Sequence, residues 1–291
     1  MFTDVSLGQP RDIALGGDGN LWFTSYSGYS IGRVTPTGVV TSFRVPEVPL
    51  PNGIAAGLNG DLWFTTGAAF PTHSTRVGRI TSNGVITLFS GVGISSPLGK
   101  TLGPDGNMWF ANWGSKSLGS ITPDGVVSNF PAGNTTPRGI TTGPDGNLWF
   151  TSSGSGDGNT VGRMMPEGQY VLFSDPSINT PFDIAAGPDG NLWFTNMIGN
   201  SIGRITPAGV LTTFQDATMS GPYGTAAGPD GNLWFTNSNT DTIGRISPTG
   251  DVVAFDQEGR TPKGIAAGPD GAMWFANGNY VRWSVGRIVA V

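Results

Sequence analysis

Cysteine is absent and histidine occurs once, at His73, in a chain of 291 residues. Without a thiol there is no disulfide, no thiolate nucleophile and no Cys-ligated metal. Cysteine usage therefore leaves the redox compartment, and with it the localisation, open. Charged residues make up only 12% of the chain, the net charge is −5, and Lys and Arg form no run. Nucleic acid and acidic membrane surfaces are accordingly not expected as partners. No apolar stretch reaches the roughly 18 residues that span a bilayer, and no secretory leader is recognisable at Met1. Nucleophilic triads, phosphate-cradling loops and Cys/His metal sites are missing too.

Present in excess are 47 Gly and 22 Pro, beside nine Trp and sixteen Phe. So many aromatics argue for a packed core and against disorder, and the Gly and Pro then read as turns of an all-β fold. A repeat accounts for them. Its phrase is P-x-G-I-A-A-G-P-D-G-N-L-W-F-T-N, followed by I-G-R-I-T-P-x-G-V-V-T-x-F. The tryptophan recurs at Trp22, Trp63, Trp109, Trp149, Trp193, Trp234 and Trp274, with gaps of 41, 46, 40, 44, 41 and 40 residues. A period in the low forties is the length of a four-stranded propeller blade.

Four strands are predicted per unit. Strand A is P-x-G-I-A-A, closed by a tight G-P-D-G-N turn in which Gly accepts positive φ. Strand B is L-W-F-T, a continuous apolar run suited to burial on both faces. Strand C is I-G-R-I, and T-P-x-G leads into strand D, V-V-T-x-F. The expected fold is a seven-bladed β-propeller, one domain over 1–291, with blades near 10–43, 51–89, 97–130, 137–173, 181–214, 222–255 and 262–291 plus 1–5. Phe2 precedes Pro10 by 8 residues, as Phe43 precedes Pro51. Phe2 is thus predicted to end the outer strand of the last blade and join both termini in one sheet. Between Arg287 and Phe2 stand only Ile288 to Val291 and Met1, where other units have nine residues. The closing strand is therefore short, or residues upstream of Met1 complete it.

Length variation is concentrated on one face. Trp to Arg spans 11 residues in most units but 16 from Trp63, 14 from Trp149 and 13 from Trp274. In an up-and-down blade, the B–C and D–A loops share one end. Loops on a rigid scaffold are where binding residues usually gather, so this variable face is the candidate binding face. A small molecule or a protein is the expected partner there, on a monomer.

The phrases L-W-F-T, I-G-R-I-T-P and P-x-G-I-A-A-G-P-D-G resemble the streptogramin B lyase family, also called virginiamycin B lyase, over all seven units. The resemblance implies a propeller that opens a cyclic depsipeptide antibiotic by elimination, without water and with Mg²⁺. It also implies a His just after the strand A Pro and a Glu just after W-F-T. Here the first position holds Arg11, Asn52, Leu98, Arg138, Phe182, Tyr223 and Lys263. The second holds Ser25, Thr66, Asn112, Ser152, Asn196, Asn237 and Asn277. Neither ring has a His or a Glu. Blade 3 reads W-F-A-N-W-G, with Asn112 where the family carries Glu, and Asn lacks the negative charge that a hard Mg²⁺ favours.

Read for themselves, these rings are where otherwise similar units differ most. Strand A is innermost, so the first ring should surround the channel mouth. Its cations Arg11, Arg138 and Lys263, beside Phe182, Tyr223 and Asn52, suit an anionic or carbonyl-rich ligand, or they form a solvated rim. Asn112, Asn196, Asn237 and Asn277 are candidate ligand contacts, or ties within their own B–C turns. Lys100 replaces a strand A Ile and Ser120 a strand C Arg, which reads as a Lys aimed into the channel or as a cation moved within the blade. Asp12 and Asp183 replace Gly near the mouth, as a base or as partners of a neighbouring Arg. His73 is a general base by elimination, or a solvated loop residue. Trp113 and Trp283 are possible stacking platforms, although Trp283 is also placed to pack the closing blade. Arg33, Arg79, Arg163, Arg204, Arg245 and Arg287 read as links between blades. For a lyase lacking the family pair, the candidate acid/base set is Lys263, Tyr223 and Asp183. The rival is a non-catalytic binding propeller.

Overall fold

The computed structural model describes residues 2, 8–45, 50–67, 75–154, 158–257, 261–278 and 283–289. His73 lies outside them. Seven antiparallel sheets follow one another along the chain, each running outward from its strand A. In blade 5, for example, the strands are Pro181–Ala186, Leu192–Asn196, Ser201–Ile205 and Leu211–Gln215. Six sheets have four strands. The seventh has three, Pro262–Ala267, Ala272–Gly278 and Trp283–Val289.

Phe2 supplies the missing edge. Its N–H donates to the Val285 carbonyl at 2.9 Å, and it accepts from the Val285 N–H at 3.0 Å. Its ring stacks on Trp274 at 5.2 Å, as Phe43 stacks on Trp22 at 5.4 Å and Phe214 on Trp193 at 5.3 Å. Phe2 thus fills the strand D position of the last blade, and the ring is closed between its two ends.

Strand B is buried along its length in every blade because both of its faces meet neighbouring sheets. Apolar clusters form between blades rather than within them. Trp149 and Val161 of blade 4, for example, pack with Ile184, Leu192, Phe194 and Ile205 of blade 5. The strand C Gly makes room for this packing: a Cβ on Gly203 would lie 2.1 Å from the Phe194 ring.

The Asp of the A–B turn does more than shape a hairpin. Asp189 accepts from the Trp193 indole N–H at 2.9 Å and from the Asn191 amide at 2.8 Å, and it faces Arg204 at 3.6 Å. Burial works to raise its pKa, but these donors outweigh burial and hold it below the usual carboxylate value. Arg204 lies over Trp193 and donates to the Pro248 carbonyl of the next blade at 2.8 Å. Arg33, Arg79 and Arg163 reach forward in the same way, to Ser82, Pro123 and Pro207. These four strand C arginines are interblade links, whereas Arg245 and Arg287 face Asp230 and Asp270 of their own blades.

Changing Phe2 to Ala removes a half-buried ring and its stack on Trp274, and should cost about 2–3 kcal/mol. Equilibrium urea unfolding measures it, and a loss below about 0.5 kcal/mol, typical of a neutral surface change, would show that this residue does not hold the ring closed.

Candidate functional site

Strand A starts on the variable face with Pro, and the two residues after that Pro bulge. In blade 1, Pro10 pairs with Ser25 and Ile13 with Phe23, so Arg11 and Asp12 together oppose Thr24. The same irregularity follows Pro51, Pro97, Pro137, Pro181, Pro222 and Pro262. A bulge bends a strand and re-aims a side chain. Repeated around the axis, it turns seven side chains toward one opening.

The strand B Thr fixes the bulge. Thr195 accepts from the Asp183 N–H at 3.0 Å and donates to the Tyr223 carbonyl of the next blade at 2.9 Å. Thr24, Thr65, Thr151 and Thr236 bridge to Asn52, Leu98, Phe182 and Lys263 in the same way. In blades 3 and 7 Ala111 and Ala276 stand at this position. The third residue of strand A is Gly where neighbouring strands nearly touch: a Cβ on Gly224 would lie 2.4 Å from the Lys263 carbonyl.

All seven first-ring residues line a single cavity of about 490 Å³, together with Asp12, Lys100 and Asp183. One arc of its mouth is cationic and aromatic. Arg138 lies over Phe182 at 5.4 Å, Phe182 contacts Tyr223 at 4.1 Å between centroids, and the Lys263 ammonium sits 4.5 Å above Tyr223. Arg11 rests on Tyr26 at 4.7 Å. Tyr26, in the B–C loop of blade 1, is a contributor that sequence reading passed over. The opposite arc, Asn52 and Leu98, is neutral.

Among the described residues, none of Arg11, Arg138 and Lys263 has a carboxylate partner, whereas Arg33, Arg79, Arg204, Arg245 and Arg287 each face an Asp. The Arg138 Nε is buried without a hydrogen-bond partner. Burial and the nearby Arg11 charge lower the Lys263 pKa, and burial lowers that of Arg138 against the pull of Tyr223. Burial acts to lower that of Arg11 as well, but Tyr223 and Tyr26 outweigh it and leave it raised.

Deeper in the channel, Asp12 accepts from the Ile54 N–H of the next blade at 2.9 Å and is ion-paired with Lys100 of blade 3. Asp183, at the same repeat position, accepts from the Thr225 N–H at 2.9 Å. The expected Arg partners are thus replaced by Lys100 and by backbone amides, because a carboxylate here extends over the next inner strand and not toward the rim. Burial pushes the Asp183 pKa up to about 6, although Lys100 and the Thr225 amide draw it down.

The second ring does not reach the cavity. Asn112, Asn196, Asn237 and Asn277 are fully buried. Asn196 accepts from the Asn179 N–H at 3.1 Å and donates to the Ser177 carbonyl and the Ser201 hydroxyl, and Asn237 does the same with Ser220, Thr218 and Thr242. Asn112 holds Ser95 and Gly93, and Asn277 bonds Ser284. Asn112, Asn196 and Asn237 tie the incoming D–A loop to the start of strand C, and the burial of all four amides turns them away from a ligand. Trp113 is 46% exposed and lies outside the cavity lining. Trp283 packs against the cluster of Ile13, Phe23, Trp274 and Val285. The family's Mg²⁺ finds no matching site: three cations ring the mouth, Asp12 already holds an ammonium, and no group of three or more His, Asp or Glu able to hold a metal occurs among the described residues.

Fold and cavity define a seven-bladed propeller with a funnel on its axis, lined by cationic, aromatic and aliphatic side chains. The family model that matches is the Virginiamycin B lyase family, over residues 3–157 and 132–290, and the chain belongs to that family. Solved structures agree. A streptogramin B lyase is 30% identical with a TM-score of 0.86, covering 94% of this chain and 92% of its own. An inactive histidine-to-alanine variant of virginiamycin B lyase from Staphylococcus aureus, solved with quinupristin, is also 30% identical with a TM-score of 0.90, covering 100% and 98%. Hydrazine synthase from Kuenenia stuttgartiensis, at 18% identity and a TM-score of 0.78 over 99% and 97%, shares the fold alone. No curated protein matches the chain by sequence.

Because folding raises the Asp183 pKa, the folded state binds its proton more tightly than the unfolded one. Stability from this group is full below the unfolded value near 3.8 and falls as pH rises through about 6. Asp183→Asn should therefore be more stable than the parent at pH 7.5, by up to about 2 kcal/mol, with the advantage shrinking toward pH 4. Denaturation midpoints at the two pH values check it.

Proposed function

We propose that this propeller binds a small anionic or carbonyl-rich molecule in its central funnel. Arg11, Arg138 and Lys263 would grip the oxyanion, with Asn52, Phe182 and Tyr223 as walls. The observation that carries this reading is the contrast in charge compensation. Five strand C arginines, Arg33, Arg79, Arg204, Arg245 and Arg287, have Asp partners, while the three cations at the mouth converge on open space without one. Leaving cations partly desolvated and unpaired costs stability, and an incoming carboxylate recovers it through charge-assisted bonds. A concave cavity of this size suits a small molecule better than a protein surface.

A second reading, elimination chemistry on an ester-bearing ring, is favoured by Lys263. Its lowered pKa suits it to accept a proton from carbon. Tyr223, beneath it, would donate to the departing oxygen, and Asp183 would set the field below. Family membership supports this reading, and the lack of His and Glu at the two family positions weighs for binding without turnover.

Thermal shift and calorimetry with small carboxylates should show saturable stabilisation that weakens with salt. Arg138→Ala or Lys263→Ala should each weaken binding by about tenfold, the value of one charge-assisted bond. Indifference of both variants to every acid tested would remove the proposal. Incubation with quinupristin and Mg²⁺, followed by mass, separates the two readings: ring opening lost in Lys263→Ala supports the lyase, and stabilisation without turnover supports the binder.

A further inference from the structure

We infer that the ligand is amphoteric, an amino acid or short peptide whose carboxylate meets the cationic mouth and whose ammonium group reaches Asp183. This inference rests on the anion-binding reading above and adds a second pole to it.

Asp12 and Asp183 occupy the same position in blades 1 and 5, and each accepts an amide of the next blade, from Ile54 and from Thr225. There the likeness ends. Asp12 holds the Lys100 ammonium, whereas Asp183 makes no ion pair among the described residues. The protein itself thus seats an ammonium on one of two equivalent carboxylates and leaves the other facing the cavity. A carboxylate in such surroundings is a strong complement to a cation that brings its own hydrogen-bond donors.

The two poles are close. Phe182 of the mouth and Asp183 are consecutive, and the residue after Arg138, Gly139, abuts Asp183 so tightly that a Cβ on it would lie 2.8 Å from the Asp183 Cα. A ligand joining both poles therefore needs only a short span between carboxylate and ammonium. Pro10, Leu98, Phe182 and Met197 line the same space, and about 490 Å³ far exceeds the needs of an inorganic anion. This leaves apolar room for a side chain.

Protonation gives an independent handle. The charged and titratable groups around Asp183 are Lys100 and Asp12 below and Arg11, Arg138, Tyr223 and Lys263 on the cavity wall. As pH falls through about 6, Asp183 takes up a proton and can no longer attract an ammonium. A carboxylate-only ligand does not lose this contact.

The test is calorimetry with two matched pairs: L-phenylalanine against 3-phenylpropionate, and alanyl-phenylalanine against its N-acetyl derivative. At pH 7.5 the free amine of at least one pair should bind about tenfold tighter than its partner. That gap should shrink at pH 5 in the parent protein, which needs no variant. Asp183→Asn should remove the gap while leaving 3-phenylpropionate binding in place. If 3-phenylpropionate binds but neither amine gains, the amphoteric inference fails and the anion reading stands. If none of the four binds at concentrations up to about 10 mM, weaker than about 3 kcal/mol, both fail. Equal loss of all four ligands in an Asp183→Asn variant whose unfolding midpoint is no lower than the parent's would also overturn the inference, since Asp183 would then support the whole site and make no separate ammonium contact.

Discussion

Seven inner strands pass one axis at close range, and the rest of the structure answers to that crowding. In five of the seven blades the third residue of strand A is a Gly with little room for a Cβ, as Gly224 against the Lys263 carbonyl shows, and only in blades 1 and 5 does a side chain, Asp12 or Asp183, stand there. The backbone relieves the crowding with a bulge, and the bulge turns the preceding side chain toward the axis. The Thr hydroxyl of strand B then ties each bulge to the next blade's carbonyl, as Thr236 does for Lys263. Variation at the bulge costs the scaffold little, because the bonds that hold it are made by backbone and Thr. The same constraint that builds the ring therefore leaves its mouth open to chemical change.

Charge is divided accordingly. At the periphery, Arg, Trp and the turn Asp form one recurring unit that joins blades, as Arg204, Trp193 and Asp189 do. At the axis the repeat departs from its pattern: Asp12 and Asp183 stand where Gly is usual, Lys100 where Ile is usual, and the mouth collects cations over aromatic faces. The chain belongs to the virginiamycin B lyase family. Its scaffold is that of the family, and neither position at which the resemblance implies His or Glu carries one.

The fold was legible because its determinants repeat. Seven Trp at a period in the low forties define seven blades, and the spacing of Phe2 from Pro10 foretold the closure onto Val285. The first ring was legible for a related reason: only at that position do near-identical units carry Arg, Asn, Leu, Phe, Tyr and Lys, and strand A is innermost. What escaped was side-chain direction. Asn196 and Asn237 are the last residues of buried strands, and nothing in their spacing reveals that their amides turn inward to hold a D–A loop. Lys100 and Asp12 meet across two blades and 88 residues of chain, a pairing that no local pattern encodes. The Thr of L-W-F-T reads as a strand former, and its role as a bridge emerges only once adjacent strands are in place.

Binding at the mouth requires that Arg11, Arg138 and Lys263 act together on one anion. Diffraction from crystals soaked in bromide, recorded at the bromine absorption edge, tests this directly. An anomalous peak at the channel mouth, in contact with these three side chains and the Tyr223 hydroxyl, is the predicted result. Bromide bound elsewhere with the mouth empty, or the three cations swung outward from the axis, would contradict it.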